Sequence, residues 1–244
     1  MDSKALKKVA LAKEAALEVL LHNAHGPYRG LPRTAGWGYP EPYTRDLMIA
    51  SLGILATDNK KLIKALRRVL ETAAKNQSRL GHISSLIHDP DDRGASDCTP
   101  LFLMAVGVFR RVIEEPGFLG EAVDKALTWM EYRSPASRVM VTQDPTSDWR
   151  DEQWVLGYGL FVNTVVYAYL KLLGQDQRAN RLGESMGHFA VKGDKQNRHV
   201  HEAVLCPLVV QGLPKRAFRS SGQQHCDSFR HCLIKQGAGD RDMD

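Results

Sequence analysis

Residues 154–170, WVLGYGLFVNTVVYAYL, contain no charged side chain. A run that is apolar on nearly every side has no solvent face and belongs inside the molecule. Two further segments share this character: 46–56, and 100–113 with its LFLMAVGVF core. Segments of another kind alternate with them, at 4–21, 59–76, 117–131 and 175–190, where apolar residues recur at i, i+3 and i+4. Leu62, Leu66, Val69, Leu70 and Ala73 form one such stripe, and Asp58 and Asn59 supply a capped start to its helix. No run alternates with period two between turn residues, so strand signals are weak. The alternation predicts an all-α fold of helical hairpins, with amphipathic members outside and apolar members lining an inner ring.

An acidic residue stands near the start of each apolar segment. Asp46, Asp97 and Asp148 are 51 residues apart both times. A fixed interval of this size is what a repeated helical hairpin produces. Parallel copies would bring the N-terminal ends of the three inner helices, and the three aspartates, to one end of the ring.

Composition narrows the function classes. At 43% apolar and 25% charged residues, the chain has the balance of a globular domain. The net charge of +5 is spread out, with no basic run to track phosphates, so nucleic acid is not an expected partner. Charges interrupt the apolar runs before membrane-spanning length. The opening MDSKALKKVALAKEAALEVLL has no signal-peptide core, and a cytoplasmic location is expected. Four cysteines (Cys98, Cys206, Cys226 and Cys232) are too few and too clustered for a secreted disulfide framework.

Three loops carry the candidate chemistry. The first, HGPYRGLPRTAGWGYPEPYTRD (25–46), sets Trp37, Tyr39 and Tyr43 before Arg45 and Asp46. Aromatic faces beside fork-donor arginines and carboxylates suit a sugar, which has an apolar face and a hydroxyl rim. The alternative is that the aromatics simply pack the loop and Asp46 favours a helix N-terminus. The second, RLGHISSLIHDPDDRGASDCTPLF (79–102), places Asp97 before a Thr99-Pro100 helix start. Asp97 is then either part of the cap or a carboxylate aimed into the ring. The third, VTQDPTSDWRDEQW (141–154), gathers Asp148, Trp149, Arg150, Asp151, Glu152 and Trp154. Acids beside tryptophans suit glycoside hydrolysis, in which one protonated carboxyl donates to the leaving oxygen; the alternative is a solvated, charge-rich helix start. His199 and His201 have no evident third ligand and read as polar wall residues rather than a metal pair.

YTRDLMIASLGIL, LGHISSLIHD, GASDCTPLFLMAV and TSDWRDEQW, in this order and spacing, resemble the six-hairpin glycosidases. The resemblance is greatest to bacterial glycogen-debranching (amylo-alpha-1,6-glucosidase-like) proteins and neutral invertases, and covers about residues 25–202. Ser84 departs from it, standing where many relatives have proline. The resemblance implies a partial (α/α)6 barrel, the N-terminal half of a six-hairpin toroid, over residues 1–205. It also implies a glycoside hydrolase-like function on an alpha-glucoside or related sugar, with no cofactor and no metal. Asp148 maps onto the general acid of an inverting mechanism, with Asp151 as its alternative. Arg45, Asp46 and Asp97 map onto substrate-holding positions, and Trp37, Tyr39, Tyr43, Trp149 and Arg150 join them. The family's general base, a glutamate, belongs to later hairpins that this chain is expected to lack, together with turnover. Two other readings are a non-enzymatic helical-repeat scaffold and a sugar epimerase or isomerase using His199 and His201.

Residues 206–244 carry no sustained helical period. Back-translated with permitted codons from Pro207 and read one nucleotide later, the segment encodes an amphipathic helical pattern like that of the family. The expectation is a frameshift-derived, disordered tail, in which His225, Cys226, His231 and Cys232 form no zinc site. Exposed apolar flanks of an open half-ring are expected to promote self-association.

Overall fold

The computed structural model describes residues 3–36, 38–134, 139–151, 154, 156–191, 204–205 and 208–209. The fold over these residues is all-α in its main elements, as the periodicity predicts. Seven α-helices are found among them: α1 (Ser3–Asn23), α2 (Thr44–Ala56), α3 (Lys60–Lys75), α4 (Cys98–Val112), α5 (Gly120–Tyr132), α6 (Leu160–Leu172) and α7 (Asp176–Ser185). A 3-10 turn, Met186–Phe189, follows α7. Two-residue strands form two small antiparallel pairs: Tyr158–Gly159 with Leu208–Val209, and Ala190–Val191 with Val204–Leu205. No helix among the described residues is long and apolar enough to cross a membrane.

The helices form an inner and an outer set. α4 packs between α2 and α6, while α3, α5 and α7 each pack against the inner helix that precedes them. Arg45 at the start of α2 meets Asp97 at the start of α4. At the other end, Arg111 of α4 donates to the carbonyls of Lys171 and Leu172 on α6 (2.8 and 3.1 Å). The three inner helices therefore run parallel, as the 51-residue interval predicts.

Position in the row decides burial. Central α4 is buried without interruption from Cys98 to Leu103, as a helix with neighbours on both sides must be. The end members are not buried all round. α2 exposes Ile49 and Leu52, and α6 exposes Tyr167. α3 buries Leu62, Leu66, Val69, Leu70 and Ala73 together with Ala65, the stripe legible in its sequence. Asn59 caps it, accepting from the backbone N–H groups of Lys61 and Leu62; Asp58 instead takes a left-handed turn at φ 51°. The Arg67 guanidinium, paired with Glu115, lies over the rings of Phe109 and Phe118 and ties α3 to the α4–α5 connection.

The largest departure from the sequence reading is the third inner helix. It starts at Leu160 rather than 154. Gly157 adopts φ 118°, where a side chain would be strained, and pairs with Gln143 across an antiparallel bridge. At Gly159, the extended residue before the helix, a Cβ would fall 1.7 Å from Gln143 Oε1. The apolar run thus begins as extended chain pressed against the preceding loop. Periodicity alone cannot separate that from buried helix.

Candidate functional site

The three loops preceding α2, α4 and α6 meet at one end of the inner set, held by short polar contacts. Thr44 donates its backbone N–H to the Ser85 carbonyl and its hydroxyl to the Ser84 carbonyl, both at 2.7 Å. The Ile83 N–H donates to Thr99 Oγ1 at 3.0 Å. Ser96 donates its backbone N–H to the Ser147 carbonyl at 2.7 Å, and its hydroxyl to Ser147 Oγ at 3.0 Å. These bonds fix where the neighbouring aspartates stand.

Asp97 is fully buried at the start of α4. It makes no side-chain capping bond, so the capping reading does not hold. Its carboxylate accepts instead from Arg45, with Nε to Oδ2 at 2.6 Å and Nη2 to Oδ1 at 3.3 Å. The third guanidinium nitrogen, Nη1, faces Asp151 Oδ1 at 3.3 Å. One arginine on α2 thereby joins the second and third loops. Burial pushes the Asp97 carboxyl above the usual aspartate range; Arg45 opposes this only in part, and Asp148 nearby adds to the rise. The adjacent Cys98 thiol is pushed up to about 12 by burial and by Asp97, which makes it inert.

Asp148 is also buried, but its carboxylate is surrounded by donors. It accepts from Arg150 backbone N (2.8 Å), Nε (3.2 Å) and Nη2 (2.5 Å), and from Gln143 Nε2 (2.9 Å). Burial alone would push this carboxyl up. Arg150 and Gln143 outweigh it and hold Asp148 below the usual range. In this arrangement Asp148 is an ionised acceptor. To donate a proton it needs Arg150 drawn away.

Other sequence-derived candidates divide between the site and its rim. Asp46 lies in the first turn of α2, exposed, and does not join the ion-paired group. The 51-residue series therefore converges for Asp97 and Asp148 but not for Asp46. Nor does Asp148 stand at a helix start, because α6 begins only at Leu160. Tyr43 precedes α2, half-buried, with its pKa raised by burial and then by Glu41. Tyr39 is 61% exposed, Trp149 58% and Trp154 80%, which leaves three aromatic faces open to solvent. Trp149 stands edge-on to Phe161 and beneath the Arg150 guanidinium. Trp37, Glu152, His199, His201, His225, Cys226, His231 and Cys232 lie outside the described residues.

Gln143 is the functional-site residue that sequence reasoning missed; a neutral polar side chain in a polar loop carries no marker. Ser96 and Ser147 did have one. The dipeptide Ser-Asp recurs at the same 51-residue interval as the aspartates, at Ser96-Asp97 and Ser147-Asp148. No group of three His, Cys, Asp or Glu among the described residues could hold a metal ion. What the site offers is a row of carboxylates and guanidiniums flanked by aromatic faces. Compared with known proteins, the chain matches no family model and no curated protein.

Proposed function

We propose that this end of the molecule is a carbohydrate site of glycoside hydrolase-like type, built on the first half of a six-hairpin helical ring. The observation that carries it is the convergence of Arg45, Asp97, Asp148, Arg150 and Asp151 beside the exposed face of Trp149. Carboxylates and guanidiniums present acceptors and donors to sugar hydroxyls, and an indole covers the apolar face of a pyranose. Asp151 is the exposed polar member, with Arg45 and Arg150 partly buried behind it; Asp97 acts through Arg45 as a positioning residue. Asp148 serves as proton donor to an alpha-glucosidic oxygen once a bound sugar takes the place of Arg150 at its carboxylate. The parallel inner helices and their polar end loops support the ring, and the apolar faces of α1 and α2 support self-association of the chain.

Calorimetric titration with glucose, maltose and isomaltose tests the site. Sugar binding that Trp149→Ala or Arg150→Ala weakens about tenfold supports this reading. No heat with any of them sinks it. One observation favours a second reading, a scaffold without ligand: Asp97, Asp148 and Asp151 are already paired with arginines. On that reading the same substitutions lower stability, and no sugar binds.

A further inference from the structure

A cleft between α6, α7 and the chain that follows α5, reaching the start of the third loop, is lined by none of the ion-paired residues of the carbohydrate site. Ser134, Val141, Val166, Tyr169, Arg178 and Arg181 are among its walls. The Tyr169 side chain is fully buried on α6. A buried phenol ordinarily finds a hydrogen-bond partner. Tyr169 has none among the described residues, and it is one of the residues that line the cleft. Burial pushes its pKa up, so it is a proton donor at neutral pH.

Above it stand two arginines, three residues apart and so on one face of α7. Arg178 shares a long 3.4 Å contact with the largely exposed Glu131 of α5. Arg181 has no carboxylate partner among the described residues and keeps its full donor set. Ser134 Oγ reaches the Met130 carbonyl only at 3.4 Å, which leaves a second hydroxyl at the cleft. Val141 and Val166 supply apolar walls that strengthen any charge interaction between them. The interior has room for one water-sized group.

The geometry points to a binding site for the anionic end group of a small ligand, a carboxylate or a phosphate. One oxygen enters the cleft and accepts from the Tyr169 hydroxyl, while the others stay at the rim and accept from Arg178 and Arg181. Arg recognises such planar or tetrahedral oxyanions by paired N–H donors.

The test is titration of the full chain with inorganic phosphate and with acetate, each at an ionic strength held constant with chloride, read by calorimetry and by thermal unfolding. Binding of either anion above the chloride background is expected. Phosphate alone identifies the end group as a phosphate, acetate alone as a carboxylate. Arg181→Gln, on an exposed side chain, is expected to weaken binding at least tenfold without changing unfolding in the absence of anion. Tyr169→Phe should weaken it by a similar factor; if that variant fails to fold, Arg181→Gln decides. No binding of either anion overturns the proposal. So does binding that persists unchanged in Arg181→Gln, which would place the anion elsewhere, such as at Arg45 and Arg150.

Discussion

Asp97 and Asp148 each face an arginine, yet they titrate in opposite directions. Asp97 has two bonds from Arg45 against complete burial, and burial prevails. Asp148 has three bonds from Arg150 and one from Gln143, and the donors prevail. A depressed carboxyl adds stability above its unfolded value and loses it as pH falls toward its folded value. Asp148→Asn is therefore expected to cost about 2 kcal/mol at pH 7, the scale of charge-assisted bonds. That gap should narrow as pH falls through the ordinary value of 3.8. Urea unfolding at stepped pH measures it, and a gap unchanged down to pH 3 rules out the account. Asp97 makes the converse case. Arg45→Met leaves a buried carboxylate without its counter-charge and should cost about 3 kcal/mol at neutral pH. Adding Asp97→Asn removes the buried charge and should restore most of that loss. A double variant no more stable than Arg45→Met would show that Arg45 matters through packing alone. The two buried aspartates of this site were legible because their 51-residue interval marks them. The protonation order was not, because it depends on Gln143 and on how many donors each carboxylate meets.

At the scale of elements, two helical glycines separate packing from propensity. Gly107 sits on α4 against the last residue of α6, and a Cβ there would stand 2.8 Å from Leu172 Cβ. Overpacking of this kind costs about 1–3 kcal/mol, while replacing a helical glycine gains about 1. Gly107→Ala is expected to destabilise by about 1 kcal/mol. Gly53 lies on the exposed side of α2 with nothing within 4 Å of the same position. Gly53→Ala should stabilise by about 0.5–1 kcal/mol. Paired thermal melts give the signs, and equal shifts would contradict the close α4–α6 approach. The same contrast explains what the sequence revealed of each helix. α3 was legible nearly residue by residue because one face meets the core and the other meets water. α4 was legible as buried because it has inner helices on both sides. The start of α6 was hidden, since Gly157 and Gly159 interrupt the helix through contacts with a loop residue far from any periodic pattern.

At the scale of the whole molecule, α1 is the element with the least to hold it. It packs on α3, and only Leu17 and Leu20 near its C-terminal end reach the core. Leu6 and Val9 continue that same stripe toward the N-terminus, at i, i+3 spacing, but are 51% and 47% exposed. Leu11 and Val19 are exposed on other faces, and Ile49 and Leu52 add a second apolar strip on α2. Surfaces of this kind, continuous with the core, drive association when nothing covers them. The patch is small for a stable interface, so the association should be weak, with Kd on the order of 100 µM, or about 5 kcal/mol. Sedimentation velocity should then show a rise in mean size with concentration. Leu6→Gln with Val9→Gln should abolish that rise and leave the unfolding temperature nearly unchanged, because both side chains are about half exposed and neither is among the residues packed on the core. A chain that sediments identically at all concentrations would mean that α1 is too mobile or too narrow to serve as an interface. A double variant that loses stability as well as association would mean that α1 packs against its own chain more fully than its exposure indicates.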